Sequence, residues 1–298
     1  MSHSNYIGRF APTPSGPLHF GSLVAALASY LDARHVGGQW LVRIDDIDPP
    51  REVAGAADTI LSQLEAHHLY WDGSVFYQSN RDDAYLAALQ QLQDDGLVYR
   101  CDCTRQDIKA MGGRYNGHCR QRTLPDDSSF ALRVNTEMYP AIEFNDLWQG
   151  PQQWDLSVEG DFVVRRRDGL FAYQLACAVD DLFQNISHVI RGSDLLNSTP
   201  RQIFLMQLLR ADEAIPEYGH IPVAINPDGQ KLSKQNFASA IEADQAFHNL
   251  LIALHWLNHS PPEELEFGNC TELLDWASTH WNRQQIPTGS EIPAPAGF

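Results

Sequence analysis

The feature that most constrains the fold is an alternation of short apolar stretches with stretches of helical periodicity. The first apolar stretch, NYIGRF, has the character of a strand and ends in a loop broken by Pro and Gly. From about His19 onward, Leu23, Leu27 and Leu31 recur at helical spacing. The stretch WLVRIDDID at 40–48 is an apolar run that turns acidic and stops at two prolines, and a second helical pattern follows it. A strand, a helix and another strand in this order predict a βαβ unit with parallel strands.

The same alternation continues to about residue 240, with one interruption. A helical pattern spans about 80–94, FALRV and FVVRRR predict strands in a turn-rich region, and LFAYQLACAVDD, ISHVIRG and TPRQIFLMQLL predict a helix, a strand and a helix. We therefore predict an α/β fold, a doubly wound parallel sheet. The predicted parts are the first half of the sheet domain, an insertion, the second half and a helical C-terminal region, at 1–95, 96–160, 161–240 and 241–298. The tail IPTGSEIPAPAGF is predicted to be frayed.

The composition and the N-terminal residues indicate where in the cell such a protein is expected. Of the 298 residues, 43% are apolar, which is enough for a large core, and no apolar run approaches the ~20 residues that span a bilayer. The N-terminal residues lack the basic and apolar regions of an export signal. We expect a soluble cytoplasmic protein without a membrane partner.

The net charge of −17 argues against a nucleic-acid partner, because phosphate binding requires Lys and Arg. The distribution of charge is more informative. Residues 100–122, which we call the basic segment, contain two acidic and six basic residues, Arg100, Arg105, Lys109, Arg114, Arg120 and Arg122. This segment is the part of the chain best suited to contact RNA.

Three of the five cysteines, Cys101, Cys103 and Cys119, lie in the basic segment. Clustered cysteines favour metal binding in a reducing compartment over a disulfide framework, and three thiolates are suited to one tetrahedral structural Zn²⁺. The alternative is three thiols without a metal. Cys177 and Cys270 have apolar neighbours and are predicted to be inert core thiols.

Two segments have the character of a phosphate site. In RFAPTPSGPLHFGS, at 9–22, a strand enters a rigid loop and a helix begins near Gly21, so that the positive end of the helix faces a ligand and His19 can donate to a phosphate oxygen. In KLSKQ, at 231–235, two lysines can reach phosphoryl oxygens. Taken alone, each segment has an alternative interpretation. The first is equally compatible with a tight strand-to-helix turn, and the second with a solvated basic turn.

Taken together, the two segments resemble the signature motifs of class I aminoacyl-tRNA synthetases. RFAPTPSGPLHFG, RIDDID, LYWDG, DGLFAYQLACAVDD and VIRGSDLLNSTPRQIFL also resemble, in the same order, segments of glutamyl-tRNA synthetases, over about 5–240. The resemblance implies a Rossmann-type catalytic domain. It also implies that ATP, with Mg²⁺, activates L-glutamate as glutamyl-AMP and that the glutamyl group passes to an RNA hydroxyl.

The resemblance also assigns residues. It implies that the groups assisting phosphoryl transfer are His19, Gly21, Lys231 and Lys234, with Lys234 as the main phosphate contact. It implies that the substrates are bound by Arg9, Ala11, Thr13, Asp45, Tyr173 and Arg191. Arginine forks suit the two carboxylates of glutamate, although the sequence does not say which arginine binds which carboxylate.

The chain departs from the family pattern at two of these places. Asp45, assigned to the substrate ammonium, stands where many relatives carry Glu and is one methylene shorter, with Asp46 as the alternative. Ser22 stands where the full motif has a second histidine, so a shorter hydroxyl donor is expected near the nucleotide.

The length separates the branches of this family. Only about 60 residues follow KLSKQ, and they are acidic, whereas a glutamyl-tRNA synthetase carries a large anticodon-binding region. The chain thus resembles the truncated branch, the glutamyl-queuosine tRNA(Asp) synthetases, which attach glutamate to the queuosine base of tRNA(Asp). We expect a monomer that docks the anticodon stem-loop with the insertion. The alternatives are a small glutamyl-tRNA synthetase that charges the tRNA 3′ end and a non-catalytic module that binds RNA or glutamate.

The fourth zinc ligand has two candidates. By ligand chemistry His118 is favoured, since a tyrosine must first lose a proton of pKa ~10. His118, however, is adjacent to Cys119, so neighbouring residues would both have to reach one ion, while Tyr115 lies four residues before that cysteine. The resembled branch completes the site with a tyrosine at this place, and we therefore predict Tyr115, with His118 as a neighbour or alternative.

Overall fold

A computed structural model describes residues 6–125, 128–210, 214–232 and 239–298. Within these ranges, the strands are β1 (Ile7–Phe10), β2 (Gln39–Ile44), β3 (Phe76–Tyr77), β4 (Val98–Cys101), β5 (Ala131–Val134), β6 (Ile142–Asp146), β7 (Gly150–Trp154), β8 (Phe162–Arg165), β9 (His188–Gly192), β10 (Glu217–Ile221), β11 (Val223–Ile225) and β12 (Glu291–Pro293). The helices are α1 (Phe20–His35), α2 (Ala56–Ala66), α3 (Asp82–Asp94), α4 (Arg105–Ala110), α5 (Leu156–Glu159), α6 (Tyr173–Phe183), α7 (Thr199–Leu209), α8 (Ala246–Trp256) and α9 (Cys270–His280).

The main sheet has five parallel strands in the order β10-β9-β1-β2-β3. A parallel sheet is covered on both faces, and β2 accordingly buries Trp40, Val42 and Ile44 on one face and Arg43 on the other. Helix α1 follows β1, and its buried residues contact this sheet and the C-terminal helices. The predicted doubly wound parallel α/β fold is confirmed. The carboxyl ends of β1 and β9, where ligands bind in such folds, carry Arg9 and Arg191.

The inserted part contains an antiparallel sheet in the order β4-β5-β8 and a separate β6-β7 hairpin. The domain division stays a prediction. Because β8 pairs with β5, we extend the proposed insertion from residue 160 to about residue 172, just before α6 begins.

The β6-β7 hairpin packs against β10 at the edge of the main sheet. Leu147 N donates to Tyr218 O at 2.9 Å. The ring of Trp148 lies over Gly219, where an added Cβ would come within 2.4 Å of the ring. This glycine is needed for a close approach rather than for an unusual backbone angle. The hairpin is therefore joined to the sheet that carries the functional residues.

The prediction of a frayed C-terminal tail is wrong. Strand β12 pairs in parallel with β11, and Ala294 N donates to Ile225 O at 2.8 Å. Trp256 Nε1 donates to Pro293 O at 2.8 Å, and the rings of Phe298 and Phe20 are 4.5 Å apart. The Pro- and Gly-rich composition concealed a segment that main-chain hydrogen bonds and aromatic packing hold in place.

None of the helices in the described part of the chain has the length and apolar character needed to cross a bilayer.

Candidate active site and cysteine cluster

A cavity of about 520 Å³ opens at the carboxyl ends of β1 and β9. Most of the residues predicted from sequence to act on glutamate or ATP line it, namely Arg9, Ala11, Thr13, His19, Gly21, Tyr173, Arg191 and Lys231. Lys234 lies outside the described residues. Asp45 is described but is not among the lining residues. The fold thus gathers side chains from the first loop, α6, β9 and the segment after β11 into one space.

The start of α1 forms one wall of this cavity. His19 is the N-cap residue and has an extended backbone, and α1 runs for 16 residues beyond it. A Cβ on Gly21 would lie 3.2 Å from His19 Cε1, so the glycine allows the imidazole ring to pack against the first turn. The first amide groups of a helix of this length face the ligand with a partial positive charge. This wall is suited to phosphate oxygens.

Arg9 is anchored from behind by a buried carboxylate. Its Nε and Nη2 donate to Asp181 of α6 at 3.2 and 3.1 Å. Arg43 of β2 donates through Nη1 to Asp181 Oδ1 at 2.6 Å. Burial opposes ionisation of Asp181, but the two arginines outweigh it and hold its pKa well below the usual range. Arg9 is therefore held in one orientation, with Nη1 making no hydrogen bond to the described residues.

Asp45 is buried next to Arg43 and does not line the cavity. Its Oδ1 accepts from Arg43 Nε at 2.7 Å, and the side chain is 3% exposed. Burial raises the pKa of Asp45 to about 6, and Arg43 offsets only part of that rise. The alternative, Asp46, accepts from Ser79 N at 2.8 Å and from Ser79 Oγ at 2.6 Å. The assignment of Asp45 to the substrate ammonium stays a prediction, and it requires Asp45 to act from behind the lining residues or to turn away from Arg43.

Arg191 is buried on the cavity wall, and one of its hydrogen-bond donors has no acceptor among the described residues. Its Nε donates to His220 Nε2 at 3.0 Å, and its Nη2 donates to Thr199 Oγ1 at 2.7 Å. Its Nη1 is buried and has no hydrogen-bond partner among the described residues. A buried guanidinium nitrogen without an acceptor is costly unless a ligand supplies one. Arg191 is thus suited to bind an anionic group that enters the cavity.

Two further predicted residues stand at the cavity. Tyr173 is the first residue of α6, and burial raises the pKa of its hydroxyl, so that it acts as a neutral hydrogen-bonding group. Lys231 forms an ion pair with Asp194, another lining residue. This pair places a cation of the KLSKQ segment on the cavity wall.

A cluster of three cysteines lies in the insertion. The Sγ atoms of Cys101, Cys103 and Cys119 lie within 4.8 Å of one another, and those of Cys103 and Cys119 are 3.5 Å apart. Tetrahedral zinc with four Zn–S bonds of ~2.3 Å separates its sulfurs by about 3.8 Å, so this spacing fits such an ion. The cluster can hold a metal.

Cationic side chains surround the cluster. Arg133 Nε donates to Cys101 Sγ at 3.2 Å, and Arg122 Nη1 donates to Cys119 Sγ at 3.4 Å. Burial opposes thiolate formation at Cys101, but hydrogen bonds from Tyr115 and Arg133 outweigh it and lower the pKa of this thiol. The arginines offset part of the negative charge that thiolate ligands bring.

The two candidates for a fourth ligand differ in position. Tyr115 is buried and its hydroxyl accepts from Cys119 N at 2.8 Å, and the guanidinium of Arg133 lies 4.1 Å from the centre of its ring. His118 is exposed, and its ring nitrogens do not join the group of sulfurs. Burial, with help from the neighbouring thiols, raises the pKa of Tyr115, so a metal would have to displace the phenolic proton.

The basic segment is partly neutralised within the protein. Arg120 donates through Nε and Nη2 to Asp161 at 2.6 and 2.9 Å, and Arg122 pairs with Asp102 at 2.9 Å. The other four basic residues of the segment are exposed, namely Arg100, Arg105, Lys109 and Arg114. The surface that can meet a polyanion is therefore smaller than the count of charges in the sequence indicated.

Sequence reasoning missed the residues that hold the predicted ones in place. Arg43 and Asp181 fix Arg9, and His220 and Thr199 fix Arg191. In the sequence, an arginine and an aspartate inside predicted apolar elements were a visible signal of buried pairing. Their partners were not visible, because Arg43 and Asp181 are 138 residues apart.

Comparison with known proteins identifies what the chain is similar to. Residues 7–249 match the family described as tRNA synthetases class I (E and Q), catalytic domain. The chain is 50% identical over 294 residues to the glutamyl-Q tRNA(Asp) synthetase of Serratia proteamaculans, covering 98% of this chain and 95% of that protein. It is 51% identical over 284 residues to the protein of the same name from Ectopseudomonas mendocina, covering 95% of each.

Among solved structures, the glutamate-tRNA synthetase of Elizabethkingia anophelis superposes with a TM-score of 0.80 at 23% identity, covering 98% of this chain and 68% of that one. At this identity the likeness concerns the fold. It extends through the part of the chain that follows residue 249.

The raised pKa of Asp45 gives a testable dependence of stability on pH. Between an ordinary pKa near 4 and its folded value of about 6, the folded state binds a proton that the unfolded state has lost. This group therefore makes the free energy of unfolding fall as pH rises through that window, by at most ~1.4 kcal/mol per pH unit. Asp45→Asn keeps an acceptor for Arg43 but cannot titrate. We expect its free energy of unfolding, measured with urea, to rise relative to that of the unmodified protein as the pH increases from 4.5 to 6. A stability difference that is constant over this range would contradict the raised pKa, and Asp168→Asn at an exposed ion pair is the control.

Proposed function

The chain belongs to the class I tRNA synthetases (E and Q), and from that premise we propose that it activates L-glutamate with ATP and transfers it to the queuosine base of tRNA(Asp). The names of relatives that match nearly its full length support the choice of acceptor. The enzyme is thus a ligase-type glutamyl transferase that acts on a modified nucleoside.

One observation carries the proposal for the chemistry. The buried Arg191, with a guanidinium nitrogen that lacks an acceptor, lines the same cavity as His19 and the start of α1. A carboxylate bound to this arginine lies in the same space as phosphates bound at the helix start. That is the arrangement needed to join a carboxylate to an α-phosphate.

The first step needs positioning more than acid or base catalysis. The carboxylate of glutamate is already a nucleophile, and its oxygen attacks the α-phosphorus of ATP as the bond to pyrophosphate breaks. His19 and the amides of α1 bind phosphate oxygens, and Arg9 and Arg191 bind the carboxylates of glutamate. Mg²⁺ accompanying ATP would supply further charge neutralisation. In the second step a queuosine hydroxyl attacks the glutamyl carbonyl carbon and AMP leaves.

Lys231 and Lys234 are proposed to stabilise the charge that develops on the phosphoryl groups. Lys231 already stands at the cavity, where Asp194 holds it. Binding of ATP at this wall would bring a stronger anion to Lys231 than that exposed carboxylate. Lys234 is assigned from the family motif alone.

The insertion is proposed to bind the anticodon stem-loop and to hold one structural Zn²⁺. Arg105, Lys109 and Arg114 present exposed positive charge close to the cysteine cluster. Cys101, Cys103, Cys119 and Tyr115 would hold the zinc, which ties α4 and the following loop to the end of β4. The ion would maintain the shape of the docking surface and take no part in the chemistry.

The acceptor is tested by labelling RNA that lacks its normal 3′ end. We expect labelled glutamate, with ATP, to be attached to queuosine-containing tRNA(Asp) whose terminal adenosine has been removed by a nuclease. Enzymatic trimming is needed because the diol of queuosine is itself open to periodate. The same tRNA without queuosine is the control and should stay unlabelled. Labelling that requires the terminal adenosine and ignores queuosine would instead support a small glutamyl-tRNA synthetase.

Lys234 is tested without RNA. We expect Lys234→Ala to lower glutamate-dependent exchange between pyrophosphate and ATP by a factor of about 10² to 10³, because it loses charge stabilisation at the phosphates. Glutamate binding should be little changed. Lys109→Ala, an exposed lysine of the insertion, is the matched control and should keep full exchange activity. Full exchange by Lys234→Ala would remove this lysine from the mechanism.

The fourth zinc ligand is tested by metal retention. We expect Tyr115→Phe to bind zinc at least ~10-fold more weakly than the unmodified protein, because the phenolic oxygen is lost while the ring and its packing remain. The variant should therefore give up its zinc to a chelator more readily. His118→Ala, at an exposed position, should retain zinc. Metal content after dialysis and competition with a chromogenic chelator measure both. The reverse order of affinities would make His118 the ligand.

A further inference from the structure

Arg191 has a neighbour that the reaction scheme above does not use. In the parallel pairing of β9 with β10, Arg191 stands opposite His220. Arg191 Nε lies 3.0 Å from His220 Nε2. His220 is completely buried. A buried imidazole in contact with a substrate-binding guanidinium must present the correct nitrogen to it.

The partners of His220 decide which ring nitrogen carries the proton. A guanidinium can only donate, so His220 Nε2 must accept from Arg191, and the hydroxyl of Thr199, 3.0 Å from the same nitrogen, can donate to it as well. On the other side, His220 Nδ1 lies 2.5 Å from Asp146 Oδ2, which as a carboxylate oxygen can only accept. The proton therefore sits on Nδ1, and the ring is neutral. Burial, to which Arg191 adds, lowers the pKa of His220 to about 4, which keeps the ring neutral at physiological pH.

Asp146 reaches this position from the insertion. It is the last residue of β6, and its Oδ1 accepts from Trp148 N, Gln149 N and His220 N at 3.1, 3.0 and 3.0 Å. Gln149 Nε2 returns a hydrogen bond to His220 O at 2.8 Å. The carboxylate is thus fixed by the turn of the β6-β7 hairpin, and it in turn fixes the imidazole.

The far end of this chain of hydrogen bonds is the cavity. His220 accepts a hydrogen bond from Arg191 Nε and Thr199 accepts one from Arg191 Nη2, while Arg191 Nη1 has no partner among the described residues. With two of its nitrogens held, the guanidinium plane cannot rotate freely. The Nη1 group can then bind a ligand with a smaller loss of side-chain entropy than a mobile arginine would have.

We propose that Asp146 and His220 are positioning residues, which hold the guanidinium of Arg191 in the orientation that binds a carboxylate of glutamate. The inference deepens the proposed function and rests on it, because it assumes that Arg191 binds the amino-acid substrate. It also gives the β6-β7 hairpin of the insertion a role in amino-acid binding.

The decisive variant is Asp146→Asn. The amide keeps an oxygen for the three backbone donors but places an NH₂ group opposite His220 Nδ1. The imidazole must then accept at Nδ1 and carry its proton on Nε2, where it faces the N–H of Arg191 at 3.0 Å and also Thr199 Oγ1, which already accepts from Arg191 Nη2. Two donors oppose each other, and Arg191 is displaced. We expect the KM for glutamate in pyrophosphate exchange to rise by about 10- to 100-fold, the size of one lost charge-assisted hydrogen bond, while the KM for ATP stays unchanged.

A double-mutant cycle separates positioning from a general effect on the fold. Arg191→Lys keeps a positive charge but has no Nε donor for His220, so the role of Asp146 should vanish in its presence. We expect Asp146→Asn to change the KM for glutamate little when it is added to Arg191→Lys. Additive effects would overturn the inference.

Two further variants complete the test. His220→Gln offers an oxygen to Arg191 and an NH₂ group to Asp146, so it should retain a lower KM for glutamate than His220→Leu, and this pair decides the matter if Asp146→Asn does not fold. Asp161→Asn alters another buried aspartate of the insertion, which is bonded to Arg120 and Thr136 and makes no contact with Arg191, and it should leave the KM for glutamate unchanged.

The outcomes distinguish the inference from the proposed function. An unmodified protein without glutamate-dependent exchange would overturn the proposed function itself. A second outcome is normal exchange by the unmodified protein while Asp146→Asn changes both KM values equally or changes neither. That result would overturn only the positioning role.

Discussion

Two buried arginines that share one aspartate are the interaction on which the rest of the site depends. Asp181 of α6 accepts from Arg9 of β1 and from Arg43 of β2, and all three side chains are almost completely inaccessible to water. Buried ion pairs contribute little net stability, since desolvation of the charges offsets their attraction, but removing one partner leaves an uncompensated charge. The network therefore acts chiefly as a constraint. It joins the carboxyl ends of two neighbouring strands to the helix that begins with Tyr173, and it holds Arg9 at the cavity.

The second anchor of the site comes from a different part of the chain. Arg191 lies on β9, its partner His220 lies on β10, and Asp146 comes from the hairpin of the insertion. Both arginines that are predicted to bind glutamate are thus fixed from behind by carboxylates, Arg9 directly and Arg191 through a neutral imidazole. The direct carboxylate lowers the charge available to a substrate, whereas the imidazole orients Arg191 and leaves its charge largely unopposed. The two arginines are for this reason not equivalent in the carboxylate-binding role that we propose for them.

Much of the insertion's own positive charge serves its structure. Arg122 and Arg133 donate to cysteine sulfurs and Arg120 pairs with Asp161, so only part of the basic segment is available to RNA. For a protein of net charge −17 this matters, because affinity for RNA depends on the number of phosphates that exposed cations can contact. Recognition of a single modified base by shape and hydrogen bonding is more compatible with such a surface than electrostatic binding of a long RNA.

The sequence by itself determined the alternation of strands and helices, the doubly wound parallel sheet and the loops that line the cavity, because the period of burial and the breaks at Pro and Gly are local properties of the chain. It also placed three cysteines within reach of one ion. Only the tertiary structure decided that Asp45 turns toward Arg43 and that His118 stays outside the cysteine cluster. Only the tertiary structure decided, too, that the C-terminal tail pairs with β11 and that Asp146 supports Arg191 through His220. Periodicity reports that a residue is buried, but it does not identify the partner that satisfies a buried polar group when that partner lies far away in the chain.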